Sequence, residues 1–138
     1  MDRRIYVLDA QPVVGFFKKE AAHGVIGELF AKAQAGSVHL RMTSVNTGEV
    51  IYAVERQLGA AAGHLALATV QDRADIVVAD LELAVRAAWF KLRGHISYAD
   101  CFAAALAHRD GIPLITGDPE FERVEDVVRI AWVDELTA

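Results

Sequence analysis

The sequence predicts an α/β fold: one domain with a central, mostly parallel β-sheet flanked by α-helices. Three observations predict it. Short apolar runs that stop at a polar or acidic residue recur along the chain, as in "IYVLD", "DIVVAD" and "IPLITGD", and such runs suit strands covered on both faces. Segments of helical spacing alternate with them, which implies crossover connections and parallel pairing. At 138 residues and 54% hydrophobic, the chain is long and apolar enough to bury one core and is spanned by a single domain, 1–138.

Ile5 to Leu8 reads as the first strand, ending at Asp9. Pro12 follows at a first helical position, and "VVGFFKKE" continues as a short helix. Glu28 to Ala35 has helical spacing and meets Gly36, a C-cap residue. "SVHLRMTSV" is the second strand; Asn46 to Leu58 is a helix closed by Gly59, and Ala60 to Gln71 is another. Ala74 to Ala79 is the third strand. Asp80 N-caps a helix whose apolar positions Leu81, Ala84, Val85, Ala88 and Leu92 form one stripe before Gly94. Ser97 caps a helix reaching about Arg109, then come the strands "IPLIT" and "VVRIAWV". Neither repeats nor a low-complexity linker divides the chain.

Composition excludes several function classes. No apolar run approaches the ~20 residues of a membrane span, so the expectation is a soluble, unexported protein. Cys101 is the only cysteine, which removes an internal disulfide or a cysteine-based zinc site and fits a reducing, cytoplasmic setting. The five histidines are not paired at ligand spacing. A net charge of -5 argues against a surface wholly devoted to nucleic acid but leaves room for a local basic patch.

Four acids stand at the same kind of place. Asp9 and Asp118 follow strands one and four; Glu49 and Asp100 lie in the first turns of helices. Each alone has a structural reading. Asp118, between Gly117 and Pro119, is a turn residue; Asp9 is an N-cap; Asp100 completes a capping box with Ser97; Glu49 is a helical acid sharing a face with Asn46. Jointly they point elsewhere. Strand carboxyl ends and helix starts share one edge of a parallel α/β sheet, where ligands gather. Carboxylates converging there repel one another, and a hard, oxygen-preferring cation such as Mg²⁺ or Mn²⁺ relieves the conflict.

The ordered set of motifs resembles the PIN domain family: Asp9 after "IYVL", "TSVNTGEV" with Asn46 and Glu49, "SYADCFAAALA" with Asp100, and "LITGDPEF" with Thr116, Asp118 and Phe121. Within it the chain is most similar to VapC-like toxins of toxin-antitoxin pairs. The resemblance implies a metal-dependent ribonuclease with Asp9, Glu49, Asp100 and Asp118 as catalytic acids, and Asp9, Asp100 and Asp118 as ligands of Mg²⁺, with Mn²⁺ as the alternative. It makes Asn46 and Thr116 supporting polar residues and Phe121 a core anchor for its loop. It also implies an RNA substrate, a cognate antitoxin, a homodimer and no membrane. One departure is Gln11, where the family often carries a small hydroxyl residue two places after the first acid.

The metal would activate a water for in-line attack on an RNA phosphodiester, with Glu49 a general base. Arg86, Lys91 and Arg93 in "VRAAWFKLRG" are candidate RNA-phosphate contacts, with an ordinary solvated helix face, Glu82 four before Arg86, as the alternative. A phosphoacceptor receiver would need an acid beside Asp9 and a lysine after the last strand, and a haloacid-type phosphatase would need an acid at Gln11; the chain has neither. The remaining rival is a catalytically inactive PIN-like module that binds a partner or RNA.

Overall fold

The computed structural model describes residues 4–136. Five strands, β1 (Arg4–Leu8), β2 (Val38–Thr43), β3 (Asp75–Val77), β4 (Leu114–Thr116) and β5 (Ile130–Trp132), form one sheet in the order β3-β2-β1-β4-β5. All pairings are parallel. The chain therefore steps outward from β1 through β2 to β3, then returns past β1 to build β4 and β5. The direction of travel changes between β1 and β4, so a crevice opens beyond their carboxyl ends. Asp9 follows the first of these strands and Thr116 ends the second.

Six α-helices cover the sheet: α1 (Ala10–Phe17), α2 (His23–Ala35), α3 (Ser44–Leu58), α4 (Ala60–Arg73), α5 (Leu81–Arg93) and α6 (Tyr98–Asp110). Alternating strand residues separate two cores. Val7 and Leu114 join α5 and α6 on one face, while Leu8 and Ile115 join α1 to α4 on the other. Cys101 to Ala107 of α6 are all buried. The small alanines let this helix lie deep against the sheet, and that depth places its first turn beside β1 and β4.

The caps expected at Asp80, Ser97, Gly36 and Gly59 occur. Asp80 accepts from the Leu83 amide and Ser97 from the Asp100 amide, while Gly36 and Gly59 have φ of 84° and 94°, a region open to glycine at little cost. Other boundaries differ for identifiable reasons. Helix α2 starts at His23 rather than Glu28, because Gly24 and Gly27 weaken its local signal; Gly27 is needed there, as a Cβ would lie 3.3 Å from Phe16. Helix α1 begins at Ala10, before Pro12, and ends at Phe17. Strand β2 stops at Thr43, whose side chain accepts from the Asn46 amide and starts α3 two residues early. Strands β3, β4 and β5 are each shorter than the apolar runs that announce them.

The apolar stripe read from the sequence of α5 is mostly not its buried face, Ala84 alone of its members packing against the core. Leu83, Ala87 and Phe90 are the buried positions, whereas Leu81, Val85, Trp89 and Leu92 are 80%, 64%, 47% and 89% exposed. Helix α5 has two apolar faces at helical spacing, and periodicity alone does not say which one meets the sheet.

Candidate metal centre

Asp9 leaves β1 at the N-cap position of α1, yet its side chain makes no capping bond. It turns instead toward β4, where the Thr116 hydroxyl donates to Oδ2 at 2.8 Å. The same hydroxyl oxygen accepts from the Asp118 amide at 3.0 Å. Thr116 thereby fixes two of the expected acids relative to each other. Asp118 has its bland role as well: Oδ1 caps the 3-10 turn Pro119–Val124 by accepting from the Glu120 amide. Phe121 in that turn is fully buried, so the loop is anchored as expected.

On the other side, Asn46 ties two helices together. Its Nδ2 donates to Glu49 Oε1 at 2.9 Å and to the Ala99 carbonyl at 3.0 Å, next to Asp100. Thr43 holds the Asn46 side chain in place by donating to its Oδ1 at 2.5 Å. The two supporting polar residues named from sequence thus act as braces, Thr116 between β1 and the Asp118 loop and Asn46 between α3 and α6.

These braces bring the acids together. Asp9, Glu49 and Asp100 present oxygens within 4.8 Å of one another, and so do Asp100, Asp118 and Glu120. Asp100 belongs to both sets. Glu120 was absent from the sequence reading. Its signal was its place two residues after Asp118 in "GDPEF", where the tight turn started by Pro119 keeps it beside the site.

The electrostatics are those of a site short of positive charge. Asp9 is 1% exposed and its Oδ1 has no hydrogen-bond partner among the described residues. Burial, then the Asp100 charge, pushes its carboxyl up to about 8, against a partial offset from Thr116. Asp100 rises to about 6, chiefly by burial, with Glu49, Asp118 and Glu120 adding repulsion and the Ser97 bond opposing it. Glu49 is raised by burial and lowered in part by Asn46. The neighbours acting by charge on Asp9 and Asp100 are acids. An all-oxygen donor set with an orphaned buried carboxylate oxygen fits a hard divalent cation such as Mg²⁺ or Mn²⁺. Such an ion would satisfy Asp9 Oδ1 and reverse the repulsion that raises these pKa values.

The sequence model of the PIN domain matches residues 6–127, from β1 to just short of β5. The chain belongs to the PIN domain family. A search of curated protein sequences returned no match. Among solved structures, this PIN domain is similar to VapC20 of Mycobacterium tuberculosis, described as a sarcin-ricin-loop-cleaving toxin. The TM-score is 0.74 at 18% identity, over 86% of this chain and 94% of that one. It is also similar to VapBC2 from Rickettsia felis, bound to a promoter DNA fragment, with TM-score 0.72, 16% identity and coverage of 93% and 98%. DNA-bound VapBC from Salmonella typhimurium gives 0.71, 20% identity, and 94% and 98%. At these identities the likeness concerns the fold.

The basic residues proposed for phosphate contact are engaged elsewhere in this PIN domain. Arg86 bonds His108 at 2.7 Å, Lys91 donates to the Ile96 carbonyl at 2.8 Å, and Arg93 pairs with Asp126 at 2.5 Å while lying over Trp89. Arg86 also lines a groove of about 620 Å³ with Leu81, Val85, Trp89 and His108. Among the described residues no helix is long and apolar enough to cross a membrane.

Proposed function

We propose that this PIN domain is the endoribonuclease toxin of a toxin-antitoxin pair, hydrolysing RNA phosphodiesters with Mg²⁺ or Mn²⁺. One observation carries the reading: five carboxylates gather at a sheet edge, and the most buried of them has an oxygen with no hydrogen-bond partner among the described residues. Asp9, Asp100 and Asp118 would hold the ion. When bound, it supplies a Lewis acid that lowers the pKa of a coordinated water and offsets charge on the phosphoryl group.

The chain's own side chains do the rest. Thr116 holds Asp9 and the Asp118 backbone in register, so the ligands are set before an ion arrives. Glu49, oriented by Asn46 and raised in pKa by burial, is suited to accept a proton from the attacking water. Glu120 extends the acidic set on the Asp118 side. Arg86, Lys91 and Arg93 retain hydrogens beyond the bonds they make within the chain, and the proposal gives them backbone contacts to RNA outside the site. Neutralising one should weaken binding and flatten its salt dependence.

The structural neighbours include a toxin-antitoxin complex, which supports a cognate antitoxin as partner; the proposal places the pair in the cytoplasm. Self-association is assigned to α5, where Leu81, Val85, Trp89 and Leu92 form an exposed stripe that a second copy of the same face would cover. The catalytic claim is tested by incubating RNA with purified protein in EDTA, Mg²⁺ and Mn²⁺, beside Asp9→Asn. Cleavage that needs the ion and disappears in the variant is expected; metal-independent cleavage, or equal cleavage by the variant, contradicts it.

A further inference from the structure

We infer that Tyr52 and Arg56, on the exposed face of α3, form a subsite for the single-stranded RNA beside the cut. The Tyr52 ring stacks on a nucleobase and the Arg56 guanidinium contacts a backbone phosphate. This rests on the nuclease reading above and gives the strand a path out of the carboxylate site. Helix α3 supplies that path. It holds Glu49 of the cluster in its second turn and packs against both α1, which Asp9 precedes, and α6, which carries Asp100. An α-helix turns about 100° and rises about 1.5 Å per residue. Glu49 and Arg56 therefore leave α3 within about 20° of one direction, Tyr52 about 60° from Glu49, and Arg56 is rooted about 10 Å beyond Glu49 along the axis. One helix face thus runs from the cluster through Tyr52 to Arg56.

The two side chains are arranged for a strand of RNA. Tyr52 is 55% exposed, and the Arg56 guanidinium lies over its ring with Cζ 5.6 Å from the centroid. The charge is thereby turned back toward the Glu49 end of the helix. Arg56 enters no ion pair among the described residues. The acid beside it in sequence, Glu55, is drawn to the other helix of the hairpin: a Cβ on Gly63 of α4 would come within 2.9 Å of Glu55 Cβ and 3.5 Å of its Oε1. An un-neutralised guanidinium thus stands next to an open aromatic ring. Every nucleotide of a single strand offers their complements, a charged phosphate and a base with a π-face. The placement also resolves a conflict of charge. A phosphate at the cluster meets acids as well as the cation, whereas a neighbouring phosphate along α3 meets a positive side chain.

Three substitutions separate a stacking platform from an ordinary solvated residue. Tyr52→Phe keeps the aromatic face, Tyr52→Leu keeps apolar bulk without it, and Tyr52→Ala removes both. The probe is a fluorescein-labelled single-stranded RNA of mixed sequence, read by anisotropy with Ca²⁺ in place of Mn²⁺ and by cleavage in Mn²⁺. Tyr52→Phe should bind and cut within about twofold of wild type, while the Leu and Ala variants lose about fivefold to a hundredfold in affinity. Arg56→Gln should weaken binding and flatten its salt dependence, and Arg56→Lys should keep the wild-type slope. The rise in melting temperature on adding Mn²⁺ should stay at the wild-type value in every variant, because none removes a carboxylate. Tyr52→Leu with wild-type RNA affinity, or a Mn²⁺ response that falls in step with affinity, overturns the subsite. Variants that bind and cut RNA normally but escape the cognate antitoxin also overturn it, and make this face a protein contact. Wild type that neither binds nor cuts RNA overturns the nuclease reading and this inference together; wild type active beside an equally active Tyr52→Leu overturns this inference alone.

Discussion

The two edges of the sheet handle acids in opposite ways. At the amino edge Asp75 and Asp110 have basic partners: His39 meets Asp75 at 2.5 Å, and Asp110 is held by Arg41 and by Arg109, the latter at 3.0 Å. At the carboxyl edge Asp9, Glu49, Asp100, Asp118 and Glu120 gather with no side-chain ion pair among the described residues, and burial lifts the pKa values of the first three. Acids left unneutralised in one place are the arrangement that the proposed cation site requires.

The largest expected contrast is between acid removals at the two edges. Asp100→Asn should reduce RNA cleavage by about a thousandfold or more, because ligands of one ion act as a unit and their effects do not add. Asp110→Asn should leave cleavage within about twofold of wild type. It should instead destabilise the fold by about 1 to 3 kcal/mol in urea melts, since Arg41 and Arg109 lose a half-buried partner. Equal activity in the two variants would erase the distinction between the edges.

A second contrast is in pH dependence. Asp9 and Asp100 have folded pKa values of about 8 and about 6, above their unfolded values. From about pH 5 to 8 the unfolded chain has these groups ionised while the folded protein still binds protons, so folding becomes less favourable as pH rises. Metal-free protein should lose about 2 to 4 kcal/mol over that range, and the loss should shrink when Mn²⁺ is present. Urea melts in EDTA across this range measure it; stability rising with pH would show that burial and the neighbouring acids do not hold these carboxyls above their unfolded pKa values. A smaller effect concerns α5. Trp89→Glu should shift sedimentation at high micromolar concentration from dimer to monomer, and a wild-type monomer there would remove the assigned interface.

Much of this was legible in the sequence because the signals were local. Asp9 and Thr116 end apolar runs, Ser97 and Asp80 are caps, and Asn46 lies three residues before Glu49, so topology alone brought them to one edge. Three features were not legible, each for a tertiary reason. Helix α5 has two apolar stripes, and only the packing of Leu83, Ala87 and Phe90 against α6 and the sheet decides between them. Glu120 becomes a member of the site through the 3-10 turn at Pro119. Gln11 accepts a bond from the Gly117 amide across 106 positions of chain, which no local pattern encodes. The structural and functional readings of Asp100 and Asp118 also proved compatible: both belong to cap motifs and both contribute to the cluster.

The central claim, that the carboxyl edge is an acidic cluster awaiting a cation, is tested most directly without any substrate. Thermal melts of wild type and Asp100→Asn are compared in EDTA and in excess Mn²⁺ near neutral pH. In EDTA the variant should be the more stable by about 1 to 2 kcal/mol, because it removes one repelling, half-buried carboxylate. In Mn²⁺ at about a hundredfold over Kd, wild type should gain about 2 to 3 kcal/mol by mass action, and the variant much less. An Asp100→Asn protein less stable than wild type in EDTA, with an undiminished response to Mn²⁺, would make Asp100 a helix cap and contradict the account.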